Sequence, residues 1–386
     1  MGSLGRNSRN AVPGIRRCGL RFVPLLLLFT FCAAHGNTVD NLYLRLQDSL
    51  ELYLQMADAG GWPTVPDGPT IEPGDEGPRV TALARRLMAT GDLDSSHDGG
   101  GFYDDELRAA VLRFQARHGL ETDALVGRRT LRALNVPVEH RVAQLRLNIE
   151  RTHELLASGL PDLLLINLPS FEATLIRDGD AVAHTRVIIG ETENETPLFN
   201  AQMQHVVINP TWTVPYSIAS KELLLKIQQD PGFLARGGYD VFDRSGNGVD
   251  PATIDWVSLR PNNFPYTLVQ RPGTVNELGR IKFLFPNDYG VCMHDTPGKH
   301  LFAYDARAFS HGCIRMDDPV GFTERVLEPE GWARDDIVKQ LETLETLTVR
   351  LAEPIPVVIV YLTATVDEDG VVNFYEDIYG KDAGIR

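Results

Sequence analysis

The sequence predicts an α+β protein in which a small three-helix unit precedes a larger, mostly β domain. Before residue 160, apolar residues recur every three or four positions, which is the period of amphipathic helices. After Pro161 that period gives way to short β-branched and aliphatic runs, which are typical of strands. The chain has 386 residues, of which 43% are hydrophobic and 23% are charged. This length and composition indicate a globular protein of about two domains.

The first 36 residues predict a secretory signal that is removed from the mature protein. Five arginines precede an apolar run at 22–31, and small residues follow it at Ala33, Ala34 and Gly36. The alternative is a membrane anchor, but a run of about ten residues is well short of the ~20 needed to span a bilayer. No later segment is long and apolar enough to cross a membrane, so we expect an exported protein without a transmembrane span.

The charge of the chain argues against nucleic acid as a partner. The formal net charge is −15, and loss of the arginine-bearing signal would make it five units more negative. Nucleic-acid binding requires clustered Lys and Arg, which an acidic chain does not supply. The arginines that would leave with the signal are Arg6, Arg9, Arg16, Arg17 and Arg21.

Three helical segments are predicted before the β domain. Residues 37–78 hold a helix at 40–58 and a Pro/Gly-rich linker, residues 79–136 form the three-helix unit, and residues 137–160 form a connecting helix. The first helix has one apolar face, made by Leu42, Leu46, Leu50, Tyr53 and Leu54. The apolar faces of the three-helix unit are made by Val80, Leu83, Leu87, Leu107, Ala110, Val111 and Phe114.

Residues 161–355 are predicted to form the mostly β domain, and residues 356–386 a C-terminal extension. A hairpin turn is expected at Arg177-Asp178-Gly179-Asp180, where a glycine follows an aspartate between two apolar runs. Strands are expected at 163–168, 172–176, 184–189, 204–208, 281–285 and 290–294, with a helix at 220–229. The extension carries two more candidate strands around 367–370, and the sequence assigns it no function.

Two short segments bring reactive side chains together. The first is Cys292-Met293-His294-Asp295, and the second is Ser310-His311-Gly312-Cys313-Ile314-Arg315. They place two histidines and two cysteines within 22 positions, in a chain that has ten His and four Cys. Three interpretations are open, namely a zinc site, a disulfide and a catalytic nucleophile.

A zinc site would use both cysteines and both histidines, which are all zinc ligands. The spacing is unfavourable, because one residue separates each pair where structural zinc sites usually have two to four. A disulfide between Cys292 and Cys313 is favoured by an exported compartment. That second interpretation leaves the Ser310-His311-Gly312 segment unexplained.

In the third interpretation Cys313 is a nucleophile and His294 is its base. A thiol attacks a carbonyl as the thiolate, and a free cysteine has a pKa of about 8.5, so it needs a base within hydrogen-bonding reach. We expect a backbone carbonyl near Asp295 to orient the imidazole. Glycine lets the chain approach a ligand closely, so we expect the N–H groups of Gly312 and Cys313 to face a developing oxyanion.

The pattern of His294 followed by Ser310-His311-Gly312-Cys313 resembles the signature of the L,D-transpeptidase catalytic domain, also called the YkuD type. Segments 209–215 and 271–287 agree with that family and resemble most its YcbB-like subgroup. Residues 79–136 resemble a peptidoglycan-binding domain. The resemblance implies a YkuD-like β-sandwich preceded by a small three-helix peptidoglycan-binding domain.

The resemblance also implies residue roles in acyl transfer that needs no metal or organic cofactor. Cys313 would be the acylated nucleophile and His294 the proton donor and acceptor. His311 and Ser310 would support the site, and Gly312 would shape the oxyanion hole.

Two residues beside the signature leave alternatives open. Arg315 would hold a carboxylate of a stem peptide, and an ion pair with Asp317 or Asp318 is the equal alternative. Cys292 is not part of the signature. It is either a small core residue or a source of redox inactivation.

The implied partners are peptidoglycan stem peptides, with carbapenem-type β-lactams as inhibitors that acylate Cys313. The implied location is the periplasm or cell envelope, in association with the cell wall. The same nucleophile would also suit an L,D-carboxypeptidase, which uses water as acceptor, or attachment of a protein to peptidoglycan. A non-catalytic wall-binding protein is the alternative from another functional class.

Overall fold

Helices form the part of the chain that precedes the β domain, as predicted. The computed structural model describes residues 38–384, so the predicted secretory signal lies outside the described residues. Leu46 in the first helix and Leu145 in the fifth are fully buried in one apolar cluster, through which these two helices pack together. The helices are α1 (Thr38–Asp58), α2 (Pro78–Ala89), α3 (Asp105–Arg117), α4 (Arg128–Leu134) and α5 (Val138–Leu156).

Helices α2, α3 and α4 enclose an apolar core of their own. Leu83, Leu107 and Phe114 are fully buried in it. The Asp104 side chain caps α3 by accepting a 2.8 Å hydrogen bond from the N–H of Leu107. Gly119 follows α3 with a φ of +58°, a left-handed conformation that commonly ends helices.

Between residues 157 and 384, fifteen strands follow the helical region. They are β1 (Leu163–Asn167), β2 (Glu172–Arg177), β3 (Asp180–Gly190), β4 (Asn200–Ile208), β5 (Trp212–Thr213), β6 (Tyr239–Phe242), β7 (Gly248–Val249), β8 (Thr267–Gln270), β9 (Ile281–Leu284), β10 (Met293–His294), β11 (Ala308–Ser310), β12 (Ile314–Met316), β13 (Leu347–Val360), β14 (Ala364–Val366) and β15 (Val372–Phe374). The mostly β prediction for this region is confirmed.

Nine of these strands form the main sheet, in the order β11-β3-β12-β10-β9-β4-β13-β1-β2. Strand β3 also pairs with β2, so the sheet curls back on itself. Ile166, Phe283 and Met293 are fully buried in the core it encloses. The predicted hairpin turn joins β2 to β3, and both Asp178 and Gly179 have positive φ, as a two-residue type I′ turn requires.

The predicted domain boundary after residue 355 falls inside a strand. Strand β13 runs through it and pairs with β4 on one side and β1 on the other, so its last residues lie in the middle of the main sheet. The C-terminal extension therefore begins after Val360. It opens with the predicted pair of strands, the β14–β15 hairpin, whose Phe374 is buried with residues of α1 and α5.

A second, smaller sheet lies within residues 212–270, and the sequence did not predict it. Its strand order is β5-β8-β6-β7, and Leu224, Val241 and Leu268 are buried in a core separate from the main one. The predicted helix at 220–229 is present, but its first turn is π-helical. The helical segments here are α6 (Tyr216–Ile218), the π turn Ala219–Leu223, α7 (Leu224–Gln229) and α8 (Phe233–Arg236).

Two further helices, α9 (Pro319–Leu327) and α10 (Arg334–Thr343), pack on the main sheet. Phe322 of α9 and Ile337 of α10 are buried in its core. Asp318 caps α9 by accepting a hydrogen bond from Gly321. Between residues 38 and 384, no helix combines the length and apolar character that crossing a bilayer requires.

Candidate active site

Adjacent parallel strands bring together the two reactive segments. Strand β10 pairs with β12, and Met293 lies beside Ile314 in that register. His294 therefore lies one strand away from Cys313, which immediately precedes β12. Both line a cavity of about 650 Å³ between the main sheet and the 212–270 subdomain. The predicted proximity of nucleophile and base is present.

The His294 imidazole is held by a backbone carbonyl, as expected. His294 is only 4% exposed, and its Nδ1 lies in hydrogen-bonding contact with the carbonyl oxygen of Asp295. Because a carbonyl only accepts, Nδ1 carries the proton and Nε2 remains available to the thiol. The Asp295 carboxylate is itself fixed, since it accepts from the N–H of Arg280 and pairs with Lys299 at 2.8 Å.

Two neighbours favour the thiolate form of Cys313. A hydrogen bond from Cys292 lowers the pKa of Cys313, the hydrogen bond and charge of His294 lower it further, and burial acts in the opposite direction. The balance of these effects lowers the pKa of the Cys313 thiol below its ordinary value. Its sulfur lies 3.9 Å from that of Cys292, and both cysteines are free.

Among the described residues, neither the disulfide nor the zinc site of the other two interpretations is formed. The two cysteines predicted as a possible disulfide are in contact but are not bonded. Within the described range, no group of three or more His, Cys, Asp or Glu side chains is arranged to hold a metal ion. His311, a zinc ligand in that interpretation, lines the cavity and pairs with Glu222.

The loop before Cys313 is held by the hydroxyl of Ser310. Its Oγ donates to the carbonyl of Cys313 at 2.5 Å and accepts from the N–H of Gly312 at 3.1 Å. The Gly312 N–H, which we expected to face an oxyanion, is therefore engaged by Ser310 in this structure. Gly312 has a φ of +104°, which strains other residues, so glycine at this position allows the loop to take this shape.

The peptide between Gly312 and Cys313 is fixed from behind by Thr196. The Thr196 hydroxyl donates to the Gly312 carbonyl at 2.9 Å and accepts from the N–H of Gly190 at 2.9 Å. Because C=O and N–H of one peptide point in opposite directions, this bond turns the Cys313 N–H away from Thr196.

A residue of the C-terminal extension completes this support. The Tyr379 hydroxyl donates to the Gly190 carbonyl at 2.6 Å and accepts from the N–H of Thr196. Gly190 admits no side chain, since a Cβ there would lie 2.0 Å from the Asn194 carbonyl oxygen. The sequence did not identify Thr196 or Tyr379 as site residues. Their roles depend on these contacts between loops that lie far apart in the chain.

Arg315 lies in the cavity and is not paired with either of its acidic neighbours in sequence. Asp317 binds Arg186 instead, and Asp318 caps α9, so the ion-pair alternative for Arg315 is wrong. Burial lowers the pKa of the Arg315 guanidinium, and Glu277 acts against that effect. The guanidinium is half-buried and lines the cavity together with Glu277.

The 212–270 subdomain forms the other wall of the cavity. His311 lies 3.3 Å from Glu222 of the π turn, and both side chains are about half exposed. Lys221 and Lys226 of the same helical segment also line the cavity, as does Trp212. Single-turn π segments frequently occur at functional sites. No sequence pattern pointed to Glu222, because its contact with His311 depends on how the two sheets pack.

Two family comparisons match separate parts of the chain. Residues 161–349 match the YkuD family, described as "L,D-transpeptidase catalytic domain", and residues 76–134 match a family described as "Putative peptidoglycan binding domain". A curated protein of Haemophilus influenzae, named "Putative L,D-transpeptidase", is 34% identical over 230 residues. That alignment covers 59% of this chain and 46% of the relative, so this chain spans less than half the length of the relative it matches.

Solved structures with some similarity include two that are named as L,D-transpeptidases. L,D-transpeptidase 3 of Mycobacterium tuberculosis has 10% identity and a TM-score of 0.25, over 52% of this chain and 61% of that one. An L,D-transpeptidase from Xylanimonas cellulosilytica has 14% identity and a TM-score of 0.22, over 76% of this chain and 99% of that one. Both similarities are distant.

Proposed function

We propose that this protein cross-links peptidoglycan stem peptides through a cysteine acyl-enzyme. The premise is that residues 161–349 belong to the YkuD family of L,D-transpeptidase catalytic domains. The observation that supports this most directly is that Cys313 and His294 both line the cavity of about 650 Å³. The imidazole is oriented by the Asp295 carbonyl, so the arrangement has the nucleophile, base and orienting group that acyl transfer needs.

In the first step, the Cys313 thiolate attacks the carbonyl carbon of the third residue of a tetrapeptide stem. The oxyanion that forms faces the N–H of Cys313, which Thr196 directs by binding the preceding carbonyl. His294, which takes the thiol proton, returns it to the departing amine of the terminal D-alanine. The peptide bond breaks and a thioester to Cys313 remains.

In the second step, the side-chain amine of a neighbouring stem attacks the thioester. Neutral His294 accepts the amine proton as the new amide bond forms, and the Cys313 thiolate is released. The product joins the third residues of two stems. Water in place of the amine would give carboxypeptidase activity, and a protein amine would give attachment to the wall.

Arg315 is suited to bind a carboxylate of the stem. A guanidinium makes two parallel hydrogen bonds to a carboxylate, and Arg315 has neither Asp317 nor Asp318 as a competing partner. The partly buried position strengthens such a contact, because the local dielectric is lower than in water. We therefore assign Arg315 to substrate binding.

The helical unit and the N-terminal segment extend the proposal to location. The unit that matches a peptidoglycan-binding family would hold the enzyme on its polymeric substrate. The predicted secretory signal would deliver it to the periplasm or cell envelope, where that substrate lies. Carbapenem-type β-lactams would inhibit it by acylating Cys313.

The experiment that tests this function is intact-mass measurement of the reduced protein with a carbapenem. We expect a stable adduct on the wild type, located on the tryptic peptide 308–315, and none on Cys313→Ala. An adduct on Cys313→Ala, or none on folded reduced wild type, would contradict the assignment. Circular dichroism of both proteins controls for folding, and analysis of muropeptides from treated sacculi then identifies the acyl acceptor.

A further inference from the structure

A second cysteine lies beside the nucleophile, and the two acyl-transfer steps do not consume it. Cys292 is buried, and its sulfur is 3.9 Å from that of Cys313. Cys292 is not one of the signature residues of the family. A structural core role would require only an apolar side chain there, whereas a thiol in sulfur–sulfur contact with a nucleophile can also react with it.

The backbone places these two cysteines as direct neighbours. Each is one residue ahead of a strand, and the following residues Met293 and Ile314 are paired in parallel register. The N–H of Ile314 donates to the carbonyl of Cys292 at 3.0 Å, which continues the ladder to this position. Neighbouring strands lie ~4.8 Å apart, and disulfides form between Cα atoms ~4.4–6.8 Å apart. A bond of about 2.05 Å needs side-chain rotation, not a change of fold.

The two thiols differ in access and in protonation. Cys313 is partly exposed and lines the cavity, whereas Cys292 is buried behind it. The neighbouring Cys313 and burial both raise the pKa of Cys292, while the pKa of Cys313 is lowered. An oxidant that enters the cavity therefore meets the Cys313 thiolate first. The protonated thiol of Cys292 lies next to it and is buried.

We propose that Cys292 and Cys313 form a reversible disulfide under oxidising conditions, with Cys292 as the resolving cysteine. The disulfide keeps the nucleophile Cys313 in an inactive form from which reduction recovers it. With a small disulfide as the oxidant, the Cys313 thiolate attacks one of its sulfurs and releases a thiolate. Cys292 then attacks the Cys313 sulfur of the mixed disulfide, releases the second small thiol and gives up its proton. Two electrons pass from the cysteine pair to the small disulfide, and a thiol reductant reverses the reaction.

The consequence for activity follows from the proposed function. A Cys313 that is bonded to Cys292 cannot attack a carbonyl, so oxidation would silence acyl transfer. The disulfide also protects Cys313 from further oxidation to sulfinic and sulfonic acids, which thiols do not reverse. Cys292 thus makes inactivation of this enzyme recoverable.

The test is oxidation of the full-length reduced protein with excess oxidised glutathione, followed by alkylation and tryptic mass mapping. We expect a disulfide-linked pair of peptides, 283–299 with 308–315, that dithiothreitol removes. The Cys292→Ala variant should instead stop at a glutathione adduct on 308–315. Wild type that also stops at that adduct, with a free thiol on 283–299, would overturn the proposal.

A second readout separates this proposal from the proposed function. Oxidised wild type should lose carbapenem acylation and regain it after reduction. In glutathione-blocked Cys292→Ala, acylation should recover more slowly, because the mixed disulfide has no resolving thiol beside it. A cross-linked protein that takes no carbapenem even when fully reduced would support the disulfide and overturn the transpeptidase assignment. Hydrogen peroxide followed by dithiothreitol should leave more sulfinic acid on Cys292→Ala than on wild type, and equal amounts would contradict the protective role.

Discussion

The two walls of the cavity are built in different ways. The main-sheet wall carries Cys313 and His294 on paired strands, and its loops are fixed by buried hydrogen bonds such as that of Thr196 to Gly312. The 212–270 wall has its own core and reaches the signature loop through the half-exposed pair of His311 and Glu222. The groups proposed for bond making thus lie on the rigid wall. The opposite wall touches them through contacts that cost little to break, since exposed ion pairs contribute ~0–1 kcal/mol.

The largest effect is expected at the base on the rigid wall. His294→Asn keeps a donor near the position of Nδ1 but removes Nε2, so it should lower kcat/KM for a tetrapeptide donor by ~10²–10⁴-fold. Steady-state cross-linking measures this, and a thermal melt shows whether the protein still folds. A loss below tenfold in a folded variant would remove His294 from its proposed role.

The next largest effect is expected at Arg315, on the same wall. Arg315→Gln removes the proposed carboxylate contact, which at ~1.5–3 kcal/mol corresponds to a rise in KM of roughly 10–100-fold with little change in kcat. Arg315→Lys is the matched control, because it keeps the charge without the two-pronged geometry and should fall between the two. An unchanged KM for Arg315→Gln would leave the carboxylate to another residue.

A pH effect is expected from Cys292. Its hydrogen bond favours the Cys313 thiolate and so lowers the pKa of Cys313. Without that donor in Cys292→Ala, the pKa of Cys313 should rise, and the thiolate fraction should be lost at higher pH than in the wild type. The rate of iodoacetamide alkylation of peptide 308–315 against pH measures the midpoint. A midpoint that stays or moves to lower pH would show that Cys292 does not stabilise the thiolate.

A smaller effect is expected where the rigid wall is braced. Thr196→Val removes the hydroxyl that binds the Gly312 carbonyl, and a hydrogen bond of ~1 kcal/mol corresponds to about a fivefold loss of kcat. Thr196→Ser keeps the hydroxyl and should retain most of the rate. Equal rates for the Val and Ser variants would mean that the orientation of this peptide does not limit the reaction.

The smallest effect is expected on the opposite wall. Glu222→Gln breaks the exposed contact with His311, so kcat/KM should change by less than about fivefold. Glu342→Gln, an exposed carboxylate on α10, is the matched control. A loss as large as that of Thr196→Val would mean that the two walls are equally important, and the contrast between them would fail.

Much of the fold and part of the site could be predicted from local patterns. Helical periodicity located α1 to within two residues at each end and the start of α5 to within one, because a repeated apolar face specifies a helix over its whole length. The end of α5 at Leu156 comes four residues before the predicted end. The Asp178-Gly179 turn specified the β2–β3 hairpin in the same local way. The small sheet at 212–270 was missed, since its strands of two to four residues are too short to show a period.

The differences between the sequence-based expectations and the structure, at the site and at the domain boundary, have a common physical origin. The Gly312 N–H was expected to be free, but Ser310, two residues earlier, accepts its hydrogen bond through a side-chain rotation that a sequence does not display. The ion pair that was left open as an alternative for Arg315 is absent, because Asp317 binds Arg186, which is 131 residues away in the chain. The boundary after residue 355 was misplaced because β13 continues as a central strand of the sheet.

By itself, the sequence determined which side chains are chemically capable, namely a cysteine in Ser310-His311-Gly312-Cys313 and an upstream His294. The tertiary structure decided which atoms meet. Strand register sets Cys292 against Cys313, and packing of the C-terminal extension sets Tyr379 against the loop that holds Thr196. Hydrogen bonds act over about 3 Å, so contacts between residues more than a hundred positions apart are fixed by strand pairing and packing, which local residue patterns do not encode.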